Sequence, residues 1–134
     1  MVLAMIYRNR YSKYGAIKAN GCDSRKESRR LQQLAILERA SIIKDLNTQV
    51  KFVLIPTQYE TYERYSKTGR RLKDGQRCIE KECAYYADFT YTDVATGEYI
   101  VEDTKGYKGG TAYDLFTIKR KLMLSVHGIR IKEV

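Results

Sequence analysis

Two runs rich in strand-forming residues, 83–93 and 98–105, are joined by Asp93-Val94-Ala95-Thr96-Gly97-Glu98, and this join constrains the fold more than any other feature. Tyr85, Tyr86, Phe89 and Tyr91 in the first run, with Ile100 and Val101 in the second, favour extended chain. Gly97 suits the left-handed residue that closes a loop built on a type I turn. With Val94 to Gly97 as the loop, Asp93 faces Glu98, and counting back along both strands sets Asp88 opposite Asp103. Cross-strand partners on one face have Cβ atoms about 4.5–5.5 Å apart. Two carboxylates that close repel, so one pKa rises unless a cation lies between them. Lys105, two residues past Asp103, points to the same strand face.

Two carboxylates and an ammonium thus converge near one strand end. Hard oxygen ligands of this kind suit Mg²⁺ or Mn²⁺. A metal-bound water could attack a phosphodiester in line, with Lys105 orienting that water or neutralising charge on the phosphate. The bland alternative is an ordinary hairpin on which Asp88 and Asp103 face solvent and Lys105 pairs with one of them. Asp and Lys are poor strand formers, and their presence in an aromatic-rich hairpin argues for another purpose.

The rest of the chain supplies the surroundings. Residues 1–21 form a basic, aromatic arm in which Arg8, Arg10, Lys13 and Tyr14 are suited to phosphates and bases; a solvated arm is the alternative. A helix is expected over 24–40, with Ser24-Arg25-Lys26-Glu27 fitting a capping box and Leu31, Leu34 and Ala35 forming its apolar stripe. Glu27 leads that stripe, either as the cap partner or as a third carboxylate presented to the site. Arg25, Lys26, Arg29 and Arg30 crowd the other sides of its first turns. A strand is expected at 49–55, ending at Pro56, then a polar loop or ragged hairpin over 56–80 with turn signals at Thr68-Gly69 and Asp74-Gly75. A last helix at 112–126 is expected to turn Leu115, Ile118, Leu122 and Val126 inward and to end at Gly128. The alternation of Ile129 to Val134 gives a final strand. The order is helix, strand, strand, strand, helix, strand: an α/β chain with a mixed sheet, read as one domain over 1–134.

Composition narrows the function. The net charge of +9 attracts polyanions, nucleic acid first among them. Lys119 and Lys121, with Arg120, could hold phosphate backbones from the last helix, or simply be solvated there. His127 is the single histidine and Trp is absent, which removes most zinc and histidine-based schemes. Cys22, Cys78 and Cys83 lack paired ligand spacing and read as thiols in a reducing cytoplasm. No stretch approaches the roughly 18 apolar residues of a membrane span, and the opening Met1 to Ile6 lacks the features of a signal peptide.

Five segments in order, Lys13-Tyr14-Gly15-Ala16, Asp23-Ser24-Arg25-Lys26-Glu27-Ser28-Arg29-Arg30, Tyr86-Ala87-Asp88-Phe89, Val101-Glu102-Asp103-Thr104-Lys105-Gly106 and Gly128-Ile129-Arg130-Ile131-Lys132-Glu133-Val134, carry a resemblance. They resemble the PD-(D/E)xK nuclease superfamily of Holliday-junction resolvases and restriction enzymes, and more closely a family of small phage-encoded proteins assigned to it. The resemblance implies a restriction-endonuclease-like core, with Asp88 as the first-motif aspartate, Asp103 and Lys105 as the second-motif acid and lysine, and Glu27 as the helix carboxylate. Ala87 stands where the motif has its nominal proline. Glu102 could be counted as the motif acid, but strand alternation places it opposite Lys105, which favours Asp103. The resemblance further implies Mg²⁺- or Mn²⁺-dependent cleavage of DNA, commonly by a homodimer, in the cytoplasm of a phage's host. A branched or structured DNA substrate is favoured, because so small a chain leaves little for a sequence-reading module. The competing readings are an end- or single-strand nuclease, a DNA-binding protein without catalysis, and a protein-interaction module on a nuclease fold.

Overall fold

The computed structural model describes residues 24–134. The elements are α1 (Arg25–Arg39), β1 (Ile43–Ile55), β2 (Gln58–Tyr65), β3 (Arg71–Glu80), β4 (Cys83–Asp93), β5 (Tyr99–Asp103), α2 (Gly110–Leu122), a π-helical turn (Met123–His127) and β6 (Lys132–Glu133). The fold is mixed α+β. Its main sheet has the order β1-β4-β5-β6, antiparallel except for the parallel pair β5–β6. Strands β2 and β3 pair separately, so 56–80 is a hairpin rather than a loop. With that hairpin set aside, the remaining elements run helix, three strands, helix, strand.

Helix α1 starts where its cap chemistry directs. Ser24 is extended at the N-cap (φ −144°), and its Oγ accepts from the Glu27 N–H at 3.2 Å, satisfying one of the donors a helix start leaves open. Leu34 is wholly buried beside Ile43, Phe89 and Tyr91, with Leu31, Leu37, Leu46 and Ile100 packed around them. A second cluster joins Leu54, Tyr85, Ala87, Val101, Phe116, Met123 and Ile131 under α2. Ile100 and Val101 are consecutive and fall in different clusters, so the sheet is covered on both faces.

Three expectations need correction. Strand β1 begins at Ile43, six residues before the expected start at 49. Its first half is irregular, with positive φ at Asp45 and Gln49 and a register shift between Lys44 and Asn47, so a polar stretch was extended by pairing with β4 rather than by propensity. Strand β5 stops at Asp103, leaving Lys105 just beyond it. Two hydrogen bonds, Val134 N–H to the Asp103 carbonyl (2.9 Å) and Lys105 N–H to the Val134 carbonyl (3.0 Å), still hold that segment against β6. On the last helix, Leu115, Ile118 and Val126 face outward, at 55%, 57% and 51% exposure, and Leu122 is half-buried. Phe116 and Met123 face the core instead, with Tyr113 beside them. The helix carries two apolar stripes, and the aromatic one fits over Tyr85, with ring centroids 6.2 Å apart for Tyr85 and Phe116.

Cys78 and Cys83 are free thiols; Cys22 and the arm 1–21 lie outside the described residues. No helix among the described residues is long and apolar enough to cross a membrane.

Candidate active site

The β4–β5 hairpin has the register that loop counting predicts. Thr92 faces Tyr99 and Phe89 faces Glu102, Gly97 is left-handed (φ 72°), and Asp93 N–H donates to the Glu98 carbonyl at 2.9 Å. One further step of the same register sets Asp88 against Asp103. At this point β4 turns over: Tyr85 and Ala87 belong to the α2 cluster, yet Phe89 and Tyr91, of the same parity, belong to the α1 cluster. Across from it Gln49 sits at φ 52°, uncommon for a residue with a Cβ. Such local irregularity re-aims a side chain out of the regular pleat.

Asp103 is buried and doubly held. The Tyr85 hydroxyl donates to Oδ2 at 2.6 Å, and Lys105 Nζ pairs with Oδ1 at 2.7 Å. The Lys105 ammonium also lies 3.7 Å from the centroid of the Phe116 ring, which fixes it by a cation–π contact on its apolar side. Burial, then the Asp103 hydrogen bond, pushes the Tyr85 hydroxyl well above the ordinary phenol range, so it stays a donor. Asp88 Oδ2 accepts from the Thr104 N–H at 2.7 Å, and the Gln49 amide approaches Oδ1 at 3.4 Å. Its carboxyl is pushed up to about 7, first by burial and then by the negative charges of Asp103 and Glu27; the Thr104 N–H and Lys105 act the other way. Glu27 is buried at the first turn of α1 and is felt at Asp88 as a like charge. Glu27, Asp88, Asp103 and Lys105 therefore form one electrostatic cluster. Tyr85 and Phe116 were not singled out for it; the available signal was that a buried tyrosine hydroxyl needs a polar partner.

Glu102 belongs elsewhere. It is fully buried on the α1 side, where Arg30 binds it in a two-pronged grip (Nε to Oε2 2.9 Å, Nη2 to Oε1 2.6 Å) and the Tyr91 hydroxyl also donates to it. Burial works against its charge, but Arg30 and Tyr91 outweigh that and hold its carboxyl below the usual carboxylate range. Arg30 thus turns inward, not outward with Arg25 and Arg29, because a buried carboxylate beneath α1 recruits it. Arg30 is three residues after Glu27, so the same pair fixes the helix face that carries Glu27.

Comparison with known proteins adds a family. Residues 8–130 match the model of DUF1064, a family described as of unknown function. The chain belongs to the DUF1064 family. Among curated proteins and among solved structures, none matches it significantly.

The remaining basic positions of this DUF1064 chain divide by what holds them. Arg25, Arg29 and Lys121 are exposed, and Lys119 is half-buried. Lys26 donates to the Lys105 carbonyl, tying α1 to the end of β5. Arg8, Arg10, Lys13 and Tyr14 lie outside the described residues.

The donor set suits a hard divalent cation: three carboxylates, with no sulfur or imidazole among them. Thr104 Oγ1, between Asp103 and Lys105 in sequence, is buried with no hydrogen-bond partner. Among the described residues, no three acidic, His or Cys side chains are already gathered at metal-binding separations. Asp103 is turned to Tyr85 and Lys105, and Asp88 to Thr104 and Gln49, as repelling acids with separate partners would be.

The raised Asp88 carboxyl gives a stability test. A folded-state pKa above the unfolded one means its contribution is fully present below about pH 4 and is lost as pH rises through about 7. The whole rise would amount to roughly 4 kcal/mol, which solvent screening at this partly exposed group cuts to about 1–2 kcal/mol. Asp88→Asn should therefore unfold roughly 4–7 °C higher than wild type in EDTA at pH 8. That gain should vanish towards pH 4. Thermal melts across pH check it, and a loss of stability at pH 8 would show that Asp88 is favourably paired.

Proposed function

We propose that this DUF1064 protein is a metal-dependent DNA endonuclease acting on branched or structured DNA. One observation carries the reading: Asp88 and Asp103 meet Lys105 where β5 ends, with Glu27 close enough to be felt at Asp88 as a like charge. Asp88, Asp103 and Glu27 would hold Mg²⁺ or Mn²⁺, with carboxylates as hard donors. When bound, such an ion supplies Lewis-acid activation of water and neutralises phosphate charge.

The chain's own groups do the rest. Tyr85 and Lys105 fix both oxygens of Asp103, so its orientation is set before any ligand arrives. Phe116 and the β5–β6 hydrogen bonds hold Lys105 at the site, where its ammonium can stabilise charge developing on a phosphate oxygen. The net charge of +9 draws DNA towards a site that is itself acidic. The resemblance of the motif segments to the PD-(D/E)xK superfamily supports the same chemistry.

The test is cleavage of labelled four-way-junction, flap, linear duplex and single-stranded DNA in Mg²⁺, Mn²⁺ or EDTA. Cutting is expected with either metal, fastest on the junction, and none in EDTA. Lys105→Met should slow it on the order of 10²-fold while leaving DNA binding intact. No cutting of any substrate by folded protein would overturn the reading and leave a binding module.

A further inference from the structure

The β2–β3 hairpin is a part of the described chain that the core does not explain. Every residue of its two strands is exposed except Gly75, which Tyr62 covers so closely that a Cβ there would lie 2.5 Å from its ring. A two-stranded ribbon without a packed face is marginal in water. Along its shaft, charges are matched: Arg77 pairs with Glu60 (3.1 Å) and stacks on Tyr62 (4.7 Å), and Arg71 reaches Asp74 (3.0 Å) and Glu63 (3.8 Å).

The tip differs. Arg64, Lys67, Arg70, Arg71 and Lys73 fall within ten residues that include no acid. Of these, Arg64, Lys67, Arg70 and Lys73 make no ion pair with any described residue. The turn that crowds them is nonetheless well made: Ser66 N–H donates to the Arg70 carbonyl (2.8 Å), Gly69 N–H to the Ser66 carbonyl (2.9 Å) and Arg70 N–H to Ser66 Oγ (3.0 Å). Gly69 takes the left-handed conformation this turn requires (φ 85°). A built turn that concentrates like charge, on a ribbon with no core of its own, is suited to receive an anion from outside the chain.

The hairpin is also placed to serve the site. It is inserted between β1 and β4, which pair at its base through Ile55 and Cys83. Asp88 is midway along β4, five residues from Cys83, or about 17 Å of strand, and antiparallel β5 runs towards that base, with Lys105 just beyond its end. The eight residues of β2 carry the tip about 27 Å from the base. Together these spans allow up to about 44 Å between Asp88 and the tip, more than one turn of duplex at about 34 Å.

We propose that the tip of the β2–β3 hairpin is a DNA-binding element that grips the phosphates of a duplex through Arg64, Lys67, Arg70 and Lys73. A two-stranded ribbon fits the major groove, about 12 Å wide, and lets these side chains reach phosphates on both walls. The contacts position the duplex and carry no sequence information. The choice of DNA rests on the nuclease reading of the Asp88–Asp103 cluster, but the grip requires no cleavage.

The test is binding of a short fluorescein-labelled DNA duplex by the full chain in EDTA, followed by anisotropy across a salt series. The triple variant Arg64→Gln/Lys67→Gln/Arg70→Gln should bind on the order of 100-fold more weakly at 0.1 M salt, and its plot of log K against log salt should flatten by about 2–3. Its melting temperature should match wild type, since none of these side chains is buried. A control, Arg39→Gln/Lys44→Gln/Arg130→Gln, removes equal charge from exposed positions elsewhere and should weaken binding only a few-fold. Unchanged affinity in the tip variant, or equal loss in both, would overturn the proposal. Tip-dependent binding by a protein that cuts nothing would uphold it and sink the nuclease reading alone.

Discussion

Arg30→Ala is expected to lower the unfolding free energy by about 3 kcal/mol, roughly 10 °C in melting temperature. The reason is what it leaves behind. Glu102 is fully buried, and without Arg30 its charge keeps, among the described residues, the Tyr91 hydroxyl and a distant Lys132 at 3.8 Å. Breaking a buried pair by removing one partner costs about 3–5 kcal/mol, and those two remaining contacts place this case at the low end. The sign with pH follows from the depressed Glu102 carboxyl. Its contribution is present above the unfolded carboxylate pKa and is lost as pH falls through the folded one. The gap between wild type and Arg30→Ala should therefore narrow in acid. Adding Glu102→Leu to Arg30→Met should recover most of the loss, because an apolar pair leaves no charge to desolvate. Urea titrations of wild type, Arg30→Met, Glu102→Leu and the double variant check this, and additive losses would show that the two residues are not coupled.

The neighbouring acids should part company in activity. Asp103→Asn is expected to cut metal-dependent DNA cleavage by about 10³-fold, since an ion at this site would supply several kcal/mol of transition-state stabilisation. The variant should stay folded, because Asn keeps the volume and can still accept from Tyr85. Glu102→Gln should do the reverse: weaken the fold by about 1–3 kcal/mol yet cleave within a few-fold of wild type below its melting range. Cleavage and melts on the two variants check the split. Cleavage lost in Glu102→Gln and kept in Asp103→Asn would exchange the roles assigned to these residues.

The parts of this protein legible in its sequence are those in which close neighbours along the chain settle the outcome. The α1 start follows from Ser24 and the residues three and four beyond it. The β4–β5 register follows from one turn, because a hairpin loop of known length dictates every pair behind it. That counting brought Asp88 to Asp103, and alternation separated Asp103 from Glu102. The rest depended on contacts between distant segments. Arg30 meets Glu102 across 72 positions, and nothing local distinguishes it from Arg29. Two stripes on α2 were equally apolar, and only the Tyr85 ring beneath decided that Phe116 and Met123 face inward. Strand β1 extends through polar residues because β4 offered hydrogen bonds to them. Periodicity tells which residues share a face, and packing decides which face is buried.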